Sequence, residues 1–283
     1  MSKPAPGSRL RHPAEVPFYV FMVILNLIII WLIIQSAIML PLLPERFHDT
    51  GWAAAVRSAF IGLLLLIPVL VVIRETQRAS TRGTAVEMSP RQYGDLYRVA
   101  DEFSRELGLR RRPNFFLANG NGTLNAFAAQ ATGHDYVVLA NELFVNLYNN
   151  NREGLRFILG HELGHIKLHH VSLWYQLSVA YSERIPILGP TLSRLREYSC
   201  DRHGAFLCPA GATGLVVLAS GRHTEHTTDV QELVRQGQRL RGFWVELAQL
   251  PMSHPFTVRR LERLFRLGLL HSQVREAEHG TPV

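Results

Sequence analysis

Phe157-Ile158-Leu159-Gly160-His161-Glu162-Leu163-Gly164-His165-Ile166-Lys167 is the stretch from which the rest of the chain can be read. Its two histidines stand four apart, so on an α-helix they share one face and can grip a single zinc ion. Glu162 beside them can take a proton from a water activated by that ion. Leu155, Ile158, Leu159, Leu163 and Ile166 recur at helical spacing, Arg152-Glu153-Gly154 lead in, and proline is absent from Arg152 to His170. This spacing predicts a mostly buried helix carrying the donor pattern of a metallohydrolase. His169 continues the spacing, but it lies about 12 Å along the axis from His161 and cannot share an ion held at about 2 Å.

Upstream, the apolar residues of this 283-residue, 47% hydrophobic chain crowd the first quarter. Phe18 to Leu40 is a run of roughly 23 residues without a formal charge, long enough at about 1.5 Å per residue to cross a bilayer. Ala53 to Ile73 is nearly as apolar, with Arg57 placed to snorkel and Pro68 to kink it. The sequence therefore predicts a two-helix membrane anchor over 17–73, with spans at about 18–40 and 53–73. The first run continues to Met39-Leu40-Pro41, without the small-residue end of a cleaved signal peptide.

Lys3, Arg9 and Arg11 precede the first span, and Arg74, Arg78, Arg82 and Arg91 follow the second, whereas the loop between holds Glu45, Arg46 and Asp49. The positive excess puts both ends, and with them the motif helix, in the cytoplasm. The net charge of +7 suits contact with the lipid bilayer and its anionic headgroups as well as a solvated basic surface. It does not suggest nucleic acid, because no basic stripe is interleaved with aromatics. The two cysteines, Cys200 and Cys208, fit a reducing compartment; on one helix they stand about 12 Å apart, too far to bridge. Arginine stands in place of nearly all lysine, which points to a GC-rich, bacterial genome and so to the plasma membrane.

The remaining organisation reads in order. Residues 1–16 form a disordered cytoplasmic tail and 74–88 a polar linker. A helix opens with Ser89 as N-cap and Pro90 in its first turn and stops at Gly108. Three short antiparallel strands follow, Asn114 to Ala118, Leu124 to Ala129 and Tyr136 to Ala140, separated by turns at Asn119-Gly120-Asn121-Gly122 and Thr132-Gly133. Leu124 to Ala129 is the candidate edge strand to which an extended peptide can be added. Val171 to Leu192 is broken by Ser182-Glu183-Arg184, Pro186 and Gly189-Pro190, and reads as a loop or amphipathic hairpin lying on the membrane. A helix from Leu192 to about Leu207 puts Glu197 and Asp201 on one face. A polar loop with solvent-exposed His223 and His226, a helix from about Asp229 to Gln249, Ser253-His254-Pro255 and a final amphipathic helix complete a domain spanning 89–270. Residues 271–283 read as a frayed tail. The fold class is α+β: a mainly helical zincin-type domain with a small antiparallel sheet, preceded by two transmembrane helices.

Two N-terminal spans, His161-Glu162-Leu163-Gly164-His165, Glu197-Tyr198-Ser199-Cys200-Asp201 and Asn125-Ala126-Phe127-Ala128 together resemble the HtpX-like and CaaX-prenyl-protease family of membrane zinc metallopeptidases. The similarity runs from about residue 89 to 267. It implies one Zn2+ held by His161, His165 and Glu197, with Asp201 orienting a ligand histidine. It further implies Glu162 and His254 as catalytic residues, the histidine helping to hold the oxyanion. Asn125, Ala126 and Phe127 align the substrate, and Arg260 supports the substrate or the site. The chain departs from the family in its interrupted 171–192 segment and in carrying Cys200 where a small residue such as alanine is usual. Cys200 follows Glu197 by one helical turn, and a thiolate is a zinc ligand at about 2.3 Å. Glu197 is nevertheless the expected third ligand, since two histidines and a glutamate leave an open position for water.

These expectations describe an integral-membrane zinc endopeptidase acting on protein or peptide substrates, with membrane-protein quality control as the implied role. An intramembrane protease conflicts with Arg152, Glu153, Arg156 and Lys167 around the motif. A non-catalytic metal-binding scaffold has no need of Glu162.

Overall fold

A computed structural model describes residues 10–221, 224 and 227–270. Two long helices come first, α1 (Glu15–Met39) and α2 (Gly51–Thr84), joined through two short 3-10 turns. Next come β1 (Val86–Glu87), α3 (Gly94–Glu106), β2 (Asn114–Ala118), β3 (Ala126–Ala131), β4 (His134–Ala140), α4 (Asn141–Asn150) and the motif helix α5 (Arg152–Lys167). The chain continues through α6 (Leu173–Ser178), α7 (Leu188–Leu207), α8 (Gly214–Ser220), α9 (Val230–Arg239), α10 (Phe243–Gln249) and α11 (Thr257–Arg266). The expected α+β class holds: helices dominate and one small sheet stands beside α5.

The sheet corrects the expectation of three antiparallel strands. Its order is β1-β2-β4-β3; β2 pairs β4 in parallel and only β3–β4 is an antiparallel hairpin. The cause lies in burial. Val137, Val138 and Leu139 of β4 are 0–4% exposed, and an apolar run covered on both faces belongs in the middle of a sheet. The alanine-rich β3 takes the edge, as expected of it. The connection from β2 passes along residues 119–125, where Glu142 accepts hydrogen bonds from the backbone of Gly120 at 3.0 Å and Gly122 at 2.7 Å.

Helix α5 is the axis of the domain. Leu155, Phe157, Leu159 and Leu163 are fully buried, each burial contributing about 1.5–3 kcal/mol. Its closest partner is α7, and the two backbones nearly touch. A Cβ on Gly160 would lie 3.1 Å from Gly204 Cα, and one on Gly164 would lie 3.1 Å from His203 Cβ and 3.3 Å from Cys200 Cα. The glycines of the motif therefore admit the helix that carries Glu197 and Asp201.

The domain and the long helices are stitched together. Tyr19 of α1 stacks on Tyr175 at 4.4 Å and meets the Ser178 hydroxyl at 2.8 Å. Asn26, polar amid an apolar run, donates to Leu177 O and accepts from Tyr181 N at 2.8 Å. Arg74 donates to Val171 O at 2.8 Å and Gln176 Oε1 at 2.6 Å. The 171–192 segment is thus a short helix and turns packed on α1. Beyond these contacts the apolar side chains of α1 and α2, among them Trp31, Leu32, Leu64 and Val72, stand exposed. Both helices are long and apolar enough to cross a membrane.

Several boundaries differ from expectation. The tail expected through residue 16 is packed from Leu10 onward, with Leu10 7% and Glu15 2% exposed, because α1 begins at Glu15 against the domain. The linker expected at 74–88 is helical to Thr84 and then pairs as β1. The helix expected from Ser89 starts at Gly94, since Ser89 and Gln92 close a turn through paired backbone bonds around Pro90. The helix expected from Leu192 begins at Leu188, with Pro190 tolerated in its first turn. The helix expected over 229–249 breaks in two at Gly242, whose φ is +121°. His223, His226 and residues 271–283 lie outside the described residues.

Candidate metal centre

Helix α5 presents His161 and His165 on the face turned to α7, and α7 returns Glu197 between them. His161 Nε2 is 3.5 Å from Glu197 Oε2, and His165 Nε2 is 3.3 Å from Glu197 Oε1. Ligands at about 2.0–2.1 Å around a tetrahedral ion lie about 3.3 Å from one another. The three donors are therefore spaced to fit a zinc ion. A second triplet among the described residues, His165, His170 and Cys200, also has donors within reach of one ion.

Charge supports the first triplet. Glu197, Glu162 and Asp201 are 4%, 6% and 1% exposed, and Arg260 is the cation buried among them. Burial would raise the Glu197 carboxyl, yet hydrogen bonds from His161, His165 and His254 hold it well below the usual carboxylate range. Burial likewise opposes charge on His161, but Asp201 and Glu197 raise it to about 10. The pocket thus demands positive charge where an ion would be held. The Cys200 thiol is pushed the other way, well above its ordinary value, by burial and by the nearby Glu197 carboxylate. It is a poor thiolate donor.

Asp201, one turn beyond Glu197, accepts from His161 Nδ1 at 3.0 Å, which leaves the Nε2 lone pair for a metal. Arg260 of α11 grips Asp201 with Nε at 2.9 Å and Nη2 at 2.6 Å and reaches Glu197 Oε2 at 3.5 Å. Its guanidinium is turned into the protein, onto Asp201 and Glu197. His254, on the loop before α11, has a 67% exposed side chain and places Nδ1 3.2 Å from Glu197 Oε2.

A cleft of about 520 Å³ opens over these groups, lined by His161, Glu162, His165, Glu197, His254 and Arg260 on one side and Asn125, Ala126, Phe127 and Ala128 on another. Asn125 is strand-like as well as close to the glycine-rich turn, because its carbonyl accepts from Ala140 N at 2.8 Å. β4 pairs one side of β3, and the other side of Asn125 to Ala129 is an edge of the sheet. Of the residues expected at the site, all but Asp201 line this one cleft, and Asp201 lies buried against His161.

Two residues were missed. His170 follows His169, whose φ of +63° folds the chain back so that the His170 ring lies beside His165, Nδ1 to Nδ1 at 3.2 Å. Its Nε2 meets Glu15 Oε1 at 3.1 Å. Burial, opposed by the Glu15 hydrogen bond, pushes the His170 pKa down to about 3, so the ring is neutral. Ser199 Oγ donates to Glu15, and the Arg11 guanidinium forms an ion pair with it, Nε to Oε1 at 3.2 Å. The available signal was the placement of Glu15 just ahead of the apolar run.

The family model described as peptidase family M48 matches residues 90–182. This stretch holds α3, β2, β3, β4, His161, Glu162, His165 and His170, and ends before Glu197, Asp201, His254 and Arg260. No curated protein matches the chain. Over residues 90–182, which include the two histidines and the glutamate of the motif helix, the chain is similar to peptidase family M48.

Proposed function

We propose that the protein is a membrane-anchored zinc endopeptidase. The observation that carries this reading is the convergence of His161 Nε2, His165 Nε2 and a Glu197 oxygen in the cleft that also holds Glu162 and the edge of β3. A zinc ion held by His161, His165 and Glu197 supplies Lewis-acid polarisation of a water and of the scissile carbonyl. Glu162 takes the proton of the attacking water and passes it to the leaving amine. Asn125, Ala126 and Phe127 hold an extended peptide by adding it to the sheet edge. His254, exposed at the cleft and hydrogen-bonded to Glu197, donates to the developing oxyanion. Asp201 orients His161, and Arg260 keeps Asp201 charged and in place.

The exposed apolar surfaces of α1 and α2 far exceed what a soluble monomer carries and favour lipid around them. With Arg74, Arg78 and Arg82 at the end of α2, the positive-inside rule puts the domain on the cytoplasmic side. The resemblance and the arginine-rich composition favour a bacterial plasma membrane and turnover of membrane proteins. Arg152, Arg156 and Lys167 around α5 disfavour a site within the bilayer.

Full-length protein in detergent, with its metal content measured, should cleave an unfolded substrate. Glu162→Gln should retain zinc and lose cleavage, because an amide cannot accept the proton. Undiminished proteolysis by that variant would overturn the mechanism.

A further inference from the structure

We propose that Glu15 and His170 are positioning residues for the metal ligand His165, so that the first turn of the anchoring helix is a working part of the peptidase centre. The inference rests on the zinc reading above and concerns how one ligand is held.

The hydrogen-bond directions follow from the groups. A carboxylate can only accept, so the 3.1 Å contact between Glu15 Oε1 and His170 Nε2 requires the proton on Nε2. A neutral imidazole has one N–H, which makes His170 Nδ1 an acceptor. Its nearer neighbour, at 3.2 Å, is His165 Nδ1, with the Cys200 sulfur farther off at 3.7 Å, and the bond to His165 puts the proton on His165 Nδ1. His165 is left with its lone pair on Nε2, the atom 3.3 Å from Glu197 Oε1. His161 reaches the same tautomer by a direct bond to Asp201. Both ligand histidines are thus set by a carboxylate, one directly and one through an intervening ring.

The burial is that of a built device. Glu15 is 2% and His170 4% exposed, and a carboxylate so placed persists only with a full set of partners. Ser199 and Arg11 complete that set, and Ser199 also accepts from His12 N at 2.8 Å. The same helix that brings Glu197 and Asp201 therefore holds Glu15 as well. The relay also occupies the His165 and His170 nitrogens of the triplet with Cys200, so a metal bound there and the relay are mutually exclusive.

The test uses full-length protein carrying Glu162→Gln, which prevents self-cleavage, and reads zinc affinity by competition with a chromophoric chelator. Glu15→Ala and His170→Ala should weaken zinc binding about 10–100-fold, as loss of a ligand's orienting partner does. Glu15→Gln, whose amide oxygen still accepts, should fall between. Tyr19→Phe, which removes the neighbouring α1 contact to Ser178 outside the relay, should bind as the parent does. Nitrogen-15 spectra of the zinc-loaded parent should show His165 protonated at Nδ1, a readout independent of any variant's folding. Parent-like affinity in all relay variants, His165 protonated at Nε2, or a second equivalent of zinc lost with Cys200→Ser would overturn the proposal alone. A parent that binds no zinc would overturn the zinc reading and the relay together.

Discussion

Arg260 closes a fork on Asp201, with Nε 2.9 Å from Oδ2 and Nη2 2.6 Å from Oδ1, and both side chains are buried. Arg260→Ala would leave a buried carboxylate without its cation, at a cost of about 3–5 kcal/mol. Arg260→Lys should recover little, since an ammonium cannot make the fork. Thermal melts and zinc content check this, and an unaltered melt for Arg260→Ala would return the residue to a substrate-facing role.

Glu197 and Cys200, on one face of α7, are the rival candidates for a third metal ligand. Glu197→Ala should lose both zinc and proteolysis. Cys200→Ala should keep both, because Cys200 is fully buried and its thiol stays protonated. Metal analysis and a proteolysis assay on the two variants decide the matter, and the reverse pattern would refute the assignment.

The α5–α7 contact predicts a sharp contrast between glycines. Gly164→Ala meets His203 and Cys200 at 3.1–3.3 Å, and such overpacking costs about 1–3 kcal/mol. It also shifts α7, so proteolysis should fall. Gly83→Ala in α2 has nothing within 4 Å, and should change stability by no more than about 0.5 kcal/mol. Equal melts for the two variants would show that the helices do not approach so closely.

How legible the site was depended on distance along the chain. α5 could be read because its signal is local: spacing, glycine and the absence of proline within one helix. Glu197 and Asp201 share a helical face, but that they return to His161 came from resemblance, since spacing says nothing about the meeting of two helices. The sheet order was misread because strand pairing is non-local, although the unbroken Tyr136-Val137-Val138-Leu139 run carried the hint of a central strand. Glu15 and His170 are 155 positions apart, and a charged, proline-bearing leader resembles a tail unless its buried partners are known. Gly237 is a further example: its Cβ would meet Val258 O at 2.4 Å, a contact of α9 with α11 invisible in sequence.

Acid should destabilise the fold through histidines held neutral. Burial, with Arg263 and Arg202 nearby, pushes His12 down to about 4, against an ordinary value near 6.5 in the unfolded chain. Between these values the unfolded chain binds a proton that the folded one refuses, so His12's contribution is present above about 6.5 and lost as pH falls towards about 4. Melts at pH 7 and pH 5 should show a larger loss for wild type than for His12→Gln. Parallel losses would contradict the burial of His12.

Both thiols should be silent in the native protein. Burial and a hydrogen bond to Glu153 push Cys208 up to about 12, and Cys200 is fully buried. Iodoacetamide at pH 8 should label neither until denaturant is added, because thiolate is the reactive form. Mass spectrometry reads the outcome, and native labelling of Cys200 would place that residue at an open site.

The central claim is that one zinc ion is held by His161, His165 and Glu197, and X-ray absorption at the zinc edge of the full-length protein tests it most directly. The account predicts a first shell of nitrogen and oxygen alone, at about 2.0–2.2 Å, with imidazole scattering from two histidines. A sulfur shell near 2.3 Å would contradict it, because the ion would then lie with His165, His170 and Cys200 instead.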